Sequence, residues 1–440
     1  MNVILIDYLC DRILDKSTAF KTLPYKCYYD EDYNYVKKTS LIKSKPDYYK
    51  FSLGLEAIKS YALENSKVQN IEIIQDYLSF NLNFTPDIIG VSIICETGLT
   101  YKFLKLYLDN LRRNFPKAII VAGGAATLSN KEIIIDLFDA ICLGEGEIPF
   151  TELINSTNKL EYLNNAPYWY TQNKCKYEVF TLKNLDIIPP ISVGSLNYYK
   201  QRYPIDGFVQ PLTLTRGCFN RCSFCVEAQY RNYKFIQPSI EKTCSNLEYY
   251  LEQGIDHFHF YDALALYDKN FWVKLLKFIW DKNIKIVIAT NRFDDMHEEV
   301  IELLSEVCFK KKLQMSLETI NLNSHRLGKN ITLEKVNKAI ELGHKYGFSL
   351  KCYLLFGFPW DTKEDILNLN NYIKQFDFDS YDFVRLTIFK GSKLYQMAIR
   401  DGLIPENFSE LYVAESVYLK KLLKEYPDLE SKLPELIQAN

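Results

Sequence analysis

No histidine occurs in the first 256 residues of this 440-residue chain, and all five (His257, His259, His297, His325 and His344) lie beyond. The N-terminal half therefore offers no imidazole to a metal. No run approaches the ~18 consecutive apolar residues of a membrane-spanning helix, which excludes a membrane partner of that kind. The start, Met1 to Arg12, is too short and too soon charged, at Asp7, for a secretory signal. Charge of neither sign is in excess: 53 Lys and Arg stand against 55 Asp and Glu, and no basic tail appears. That balance gives no general pull toward nucleic acid or anionic membrane, and neither is expected as a partner. Eleven cysteines, an odd number in a long chain, argue against a secreted disulfide framework. The expectation is a cytoplasmic protein.

Length predicts two or three domains, and 48% hydrophobic residues suffice for buried cores. The 33 tyrosines, with abundant Lys, Ile and Asn, carry no binding inference by themselves. The most informative segment is Gly217-Cys218-Phe219-Asn220-Arg221-Cys222-Ser223-Phe224-Cys225, a CxxxCxxC array directly after the strand-like run Phe208 to Thr215. Three thiolates on one tight loop can hold three corners of a cubane iron–sulfur cluster, and without a fourth cysteine in reach one iron stays open to a small-molecule chelate. Structural zinc wants four Cys or His ligands, and the next candidates, Cys244 and His257, lie far downstream. An open corner points to catalysis rather than electron storage.

The spacing resembles the radical S-adenosylmethionine (SAM) superfamily, over roughly residues 205–400. In that superfamily SAM binds the open iron and one electron cleaves it to a 5′-deoxyadenosyl radical. The resemblance implies a [4Fe–4S] cluster on Cys218, Cys222 and Cys225. It also implies a partial (β/α)6 barrel, for which the alternation predicts strands at Pro211 to Thr215, His257 to Tyr261, Ile284 to Thr290, Lys312 to Glu318, Leu350 to Phe356 and Phe383 to Phe389. Helices are predicted at Ile240 to Glu252, Lys269 to Trp280, Glu298 to Val307, Leu333 to Tyr346 and Lys363 to Phe376. Such a barrel gathers function at the carboxyl ends of its strands.

Those ends resemble the superfamily's SAM contacts, and the resemblance implies these roles. Phe224 is the aromatic whose backbone approaches adenine. Tyr261-Asp262-Ala263 stands where the methionine amine is touched, with Asp262 alone acidic. Thr290-Asn291-Arg292 offers polar groups, Asn291 among them, and Glu318 stands where a carboxylate bonds ribose. Leu355-Phe356-Gly357-Phe358-Pro359, followed by Asp361-Thr362-Lys363-Glu364-Asp365, is similar to the adenine-side motif and implicates Leu355 and Gly357. Phe389 to Tyr395, with Asp401-Gly402-Leu403, resembles the close of the barrel.

Ahead of the barrel, short apolar runs at Val3 to Asp7, Asn70 to Gln75, Asp87 to Cys95, Ala118 to Ala122 and Asp139 to Leu143 alternate with helical patterns such as Thr100 to Phe115 and Lys131 to Phe138. They predict a doubly wound, Rossmann-like parallel sheet. Its strand-end loops are Glu96-Thr97-Gly98, Gly123-Gly124-Ala125-Ala126-Thr127 and Gly144-Glu145-Gly146-Glu147. They lack bulk where a large flat ligand needs close approach. Tight turns explain such glycines too.

In combination these loops resemble the cobalamin-binding domain found ahead of many radical SAM domains, well over about residues 65–155 and less well over 8–64. The resemblance implies cobalamin held at Thr97, Gly98, Gly123, Gly124, Ala125, Gly144, Glu145 and Gly146. The DxHxxG axial-histidine motif of cobalamin mutases is missing. Many cobalamin-dependent radical SAM methyltransferases also lack it, although a domain that has lost its cofactor would look the same.

The expected architecture is α/β: a Rossmann-like cobalamin-binding domain (1–155), a connector (156–204), a radical SAM partial barrel (205–403) and a helical C-terminal extension (404–440). In the connector, Tyr168 to Tyr170 and Tyr177 to Phe180 read as a hairpin around Asn173-Lys174. The expected function is C-methylation of an unactivated carbon on a small-molecule or peptide substrate, with an electron donor such as flavodoxin or ferredoxin. The alternative is a cyclase, oxidase or rearrangement enzyme without methyl transfer. A tRNA methylthiotransferase would need an N-terminal three-cysteine site, and Cys10, Cys27 and Cys95 are too scattered. No residue beyond the cofactor contacts is assigned a catalytic role.

Overall fold

The structure is a computed structural model that describes residues 1–7, 28–29, 35–36, 52–74, 82–94, 101–173, 176–202, 208–231, 233–288, 290–321, 326–406, 412–413 and 416–438. In the N-terminal part, six strands form one sheet: β1 (Asn2–Asp7), β2 (Asn70–Ile74), β3 (Ile88–Ser92), β4 (Ile119–Gly123), β5 (Ala140–Cys142) and β6 (Trp169–Tyr170), in the order β2-β1-β3-β4-β5-β6. The first five are parallel, and Val3 pairs with both Ile71 and Ile88. Runs such as Ile-Ile-Gly-Val-Ser, buried at every position, suit a sheet covered on both faces.

Helices supply that cover. On one face α1 (Leu53–Asn65), α4 (Glu147–Asn155) and α5 (Lys159–Asn165) pack on Val3, Leu5, Ile88 and Val121. On the other, α2 (Tyr101–Asn114) and α3 (Ala125–Ile134) pack on Ile4, Ile6, Ile89 and Val91. The chain winds from β1 to one side and returns to the other, so a crevice opens where β1 meets β3.

Two local expectations are corrected here. The helix expected at Lys131 begins six residues earlier, at Ala125, and tightens into a 3-10 turn at Ile135–Leu137. Gly124, at φ +101°, turns the strand directly into the helix, and its carbonyl accepts from the Thr127 amide at 3.1 Å and hydroxyl at 2.8 Å. Lys174, in the turn of the expected hairpin, lies outside the described residues, and among the described ones its two arms do not pair as a ribbon. Trp169–Tyr170 instead joins the sheet antiparallel to β5, and Phe180 bridges Gly144. Trp169, fully buried, gains more from the sheet core than a two-stranded ribbon would offer.

The connector also carries α6 (Val193–Arg202) before the second half begins. Six parallel strands follow: β7 (Val209–Leu212), β8 (His257–Phe260), β9 (Lys285–Ile288), β10 (Lys312–Glu318), β11 (Ser349–Phe356) and β12 (Ser380–Arg385). They pair as β7-β8-β9 and β10-β11-β12, with single parallel bridges at Ile286–Cys308 and Asn291–Met315 joining the two sets. Alternate residues, among them Phe258, Phe260, Ile286, Ile288, Leu313 and Met315, form one core with the helices outside. The expected Lys363 to Phe376 helix is broken at Asn368 into Lys363–Leu367 and Leu369–Ile373. The terminal helices Val417–Glu425 and Asp428–Gln438 put Leu419, Leu429 and Leu433 into the barrel's own core.

Candidate active site

Asp262 ends β8 and is buried, and its carboxylate accepts hydrogen bonds from the backbone amide and, at 2.7 Å, the hydroxyl of Thr215. Burial pushes its pKa up to about 6 against the lowering effect of those donors. Asp262 thereby fixes the strand end from which the cysteine loop departs. Gly217 then turns at φ +82°, where a Cβ would stand 2.0 Å from the Lys234 carbonyl oxygen, so glycine is required.

Cys218, Cys222 and Cys225 follow as free, half-buried thiols. The Cys225 amide donates to the Cys222 carbonyl at 3.2 Å, and Asn220 Nδ2 lies 3.4 Å from Cys218 Sγ. Burial pushes the Cys222 thiol up to about 12 and raises Cys225 as well. Iron binding displaces such protons. Among the described residues no three acidic, Cys or His side chains converge on one metal-ion position. A cubane gives each thiolate its own iron, so a spread triplet fits the cluster better than a single ion.

Neighbouring segments clamp this loop. The Ser223 amide donates to the Leu327 carbonyl at 2.9 Å, and the Leu394 amide donates to the Ser223 carbonyl at 2.9 Å. Phe224 packs toward Phe358, their ring centroids 6.1 Å apart. Gly357 holds φ +98°, and its amide and that of Phe358 donate to Asp361 Oδ2 at 2.7 and 2.9 Å. Burial drives Asp361 up to about 6. Leu355 precedes this turn in β11. Glu318 adopts φ +69° and pairs with Lys329 at 2.8 Å, a backbone state that side-chained residues occupy where the surroundings impose it. Asn291 is buried, its amide donates to the Gln314 carbonyl at 2.8 Å, and neither side-chain polar atom has a partner among the described residues.

Across from the barrel mouth lies the carboxyl edge of the N-terminal sheet, and between them is a cavity of about 530 Å³. Its walls bring together Gly123, Gly124, Ala125, Gly144, Glu145 and Gly146 from one side with Tyr261, Asp262 and Ala263 from the other. Phe224, Asn291, Glu318, Leu355, Gly357 and the three cysteines belong to the barrel side rather than to these walls. Thr97 and Gly98 lie outside the described residues. Two glycines have reasons beyond a ligand. A Cβ on Gly124 would meet the Ile93 carbonyl oxygen at 2.5 Å, and one on Gly144 the Phe180 carbonyl oxygen at 2.0 Å. Gly123 is different, with its nearest neighbour, Cys142 Cβ, at 3.8 Å.

Sequence reasoning missed the charged clasp in the cavity wall. Arg216 reaches Glu145 at 2.9 Å and Glu147 at 2.7 Å, Arg231 reaches Glu145 at 3.4 Å, and Glu145 also accepts from the Leu182 amide at 2.6 Å. Arg231 further pairs with Glu227, and the Tyr230 hydroxyl donates to the Gly144 carbonyl. Burial opposes the Arg216 charge, but Glu147 and Glu145 outweigh it and raise its pKa. A single arginine after a strand carries no signal in one sequence, and its position before Gly217-Cys218 was the available hint.

Residues 212–373 match the radical SAM superfamily. This segment is a radical SAM domain. The matched segment contains the three cysteines, Asp262, Glu318 and Gly357, and the superfamily's cofactors are a [4Fe–4S] cluster and SAM. An uncharacterized methyltransferase of Pyrococcus horikoshii is 25% identical to this chain over 369 residues, spanning 80% of it and 79% of the relative. A bacteriochlorophyllide d C-8(2)-methyltransferase of Chlorobaculum tepidum is 24% identical over 82% of this chain and 81% of its own length. Among solved structures, the radical SAM methyltransferase TsrM from Kitasatospora setae shares the fold at TM-score 0.65 and 16% identity, covering 91% of this chain and 76% of TsrM. The cobalamin-dependent radical SAM enzyme OxsB, solved with aqua-cobalamin and SAM, gives TM-score 0.70 at 16% identity over 97% and 66%.

Proposed function

We propose that this protein is a cobalamin-dependent radical SAM methyltransferase acting on an unactivated carbon of a small-molecule or peptide substrate. The observation that carries the proposal is the one cavity shared by the glycine loops at 123–125 and 144–146 and the barrel's strand end at 261–263. The methyltransferase names of two relatives and the cobalamin in TsrM and OxsB support it.

Cys218, Cys222 and Cys225 would hold the cluster, and the glycine loops with Ala125 and Glu145 would hold the corrin. When bound, these cofactors supply a carbon radical, from SAM cleaved by one electron, and a transferable methyl group. The residues do the rest. Leu5, Val91, Val121, Phe150 and Trp169 make the cavity's sheet side apolar, which keeps water from a reactive carbon centre. Thr215 and Asp262 hold the start of the cysteine loop, so the radical source is placed by a buried hydrogen bond rather than a mobile side chain. The Arg216 clasp fixes the sheet edge against that same loop. An electron donor of the flavodoxin or ferredoxin class would provide the electron.

The test is product stoichiometry with reconstituted protein, methyl-deuterated SAM and candidate substrates from the surrounding genes. Both 5′-deoxyadenosine and S-adenosylhomocysteine are expected, with the label in the product, because two SAM molecules do different work. Deoxyadenosine alone, with cobalamin bound and substrate consumed, would assign a cyclase, oxidase or rearrangement enzyme instead.

A further inference from the structure

The chain as a whole is slightly acidic, at net charge −2, yet the surface around the cysteine loop is not. The segments 217–234, 326–329 and 390–393 carry seven Lys or Arg against one acid, Glu227. They are far apart in sequence and adjacent in space. A Cβ on Gly328 would stand 2.1 Å from the Arg221 carbonyl oxygen, one on Gly217 would stand 2.0 Å from that of Lys234, and Lys393 Nζ lies 3.5 Å from the Arg221 carbonyl. The Arg221 guanidinium stands 5.0 Å over the Tyr233 ring.

Two of these cations are engaged, Arg231 by Glu227 and Glu145 and Lys329 by Glu318. Arg221, Lys234, Arg326 and Lys393 are exposed, and among the described residues none pairs with a carboxylate. On the same loop Phe219 is 38% exposed, tilted against Tyr267 at 4.8 Å. An exposed aromatic on the same loop as a cluster of cations without carboxylate partners is the kind of surface a protein interface of opposite charge uses. Gly217 turns the inner face of this loop to the cavity, which leaves the outer face for anything too large to enter.

We propose that this outer face docks an acidic one-electron donor protein, with Arg221, Lys234, Arg326 and Lys393 as the cationic collar and the exposed Phe219 of the same loop as its apolar contact. The proposal rests on the radical SAM assignment. One electron leaves the donor's reduced prosthetic group, which is oxidised by one electron, and enters the cluster held by Cys218, Cys222 and Cys225. Placing the donor on the loop that carries all three ligands keeps the tunnelling path short, and the collar raises the encounter rate only for an acidic partner. A nucleic acid would also feel the collar, but four clustered cations make a patch rather than the continuous stripe a phosphate backbone follows.

The experiment uses reconstituted holoprotein, flavodoxin hydroquinone as donor, and reduced methyl viologen, a small cation, as the control. In the Lys234→Glu/Arg326→Glu/Lys393→Glu variant the flavodoxin-driven rate of cluster bleaching should fall by about tenfold or more, while the viologen-driven rate stays within twofold. Without turnover, calorimetry should show binding of oxidised flavodoxin weakened by a similar factor. In the wild type the flavodoxin rate should fall as salt rises from about 50 to 200 mM. This arm holds even if the variant folds poorly. A flavodoxin rate and affinity indifferent to both charge reversal and salt overturn the proposal, as does displacement of flavodoxin by an equimolar amount of tRNA. Failure of both donors to reduce the wild-type cluster would instead sink the radical SAM assignment.

Discussion

Arg216 donates to Glu147 across the boundary between the two halves at 2.7 Å, and it does so two residues before the first cluster cysteine. The same guanidinium reaches Glu145, so one buried cation ties the third glycine loop of the sheet to the root of the cysteine loop. On the proposed assignment, the relative placement of cobalamin and cluster is set by this side-chain contact between the two turns.

Removing that cation should be costly. Arg216→Met leaves Glu145 and Glu147 buried with Arg231 alone nearby, and loss of one partner of a buried pair costs about 3–5 kcal/mol. Urea unfolding at pH 7 measures it, and adding Glu147→Gln should recover part of the loss. A loss below about 1 kcal/mol would mean that Arg231 takes over.

The cluster assignment has a direct test. Anaerobic reconstitution should load about four irons and four sulfides, and alanine at Cys218, Cys222 and Cys225 together should abolish both the visible absorption and 5′-deoxyadenosine formation. Undiminished SAM cleavage in that triple variant would refute the assignment.

Two glycines separate folding from binding. Gly144→Ala puts a methyl group into the Phe180 backbone at φ +102° and should cost at least about 2 kcal/mol. Gly123→Ala meets nothing closer than 3.8 Å and should leave stability within about 0.5 kcal/mol, while weakening cobalamin binding by intruding on the cavity wall. Equal cobalamin affinity in wild type and Gly123→Ala, by absorbance titration, would move the corrin away from this loop.

Asp262 should give the fold a pH dependence of known sign. Its carboxyl is raised from 3.8 to about 6, so between those values the folded state holds a proton that the unfolded state has lost. Stability should therefore fall as pH rises through about 4 to 6, by up to about 3 kcal/mol. Asp262→Asn keeps an oxygen for Thr215 and should flatten that slope in thermal melts of the cofactor-free protein. An unchanged slope would show that the proton resides elsewhere.

The cobalt site should lack a protein nitrogen, since no histidine is among the described residues that line the cavity. Electron paramagnetic resonance of the Co(II) form, in ¹⁵N-labelled protein with unlabelled cobalamin, should show no change of axial splitting on labelling. A triplet turning to a doublet would identify a protein nitrogen as ligand.

Much of this was legible in the sequence because it is local. Cysteine spacing depends on the few residues of one loop, and the alternation of apolar runs with amphipathic stretches is dictated within each element, so the doubly wound sheet and the six barrel strands could be read directly. Glycines at 124 and 144 could be recognised, but not their reason, since the atoms they avoid belong to Ile93 and Phe180. Trp169–Tyr170 was misread as half of a hairpin because burial against β5, which periodicity cannot see, outweighed local pairing. The sequence by itself determined the chemistry on offer: three thiolates, small loops at strand ends, and no imidazole in the N-terminal half. Only the tertiary structure decided that the glycine loops at 123–125 and 144–146 and the barrel mouth share one cavity, that Arg216 joins them, and that the segments carrying Arg221, Arg326 and Lys393 lie together, because each depends on groups far apart in the chain whose approach is set by packing.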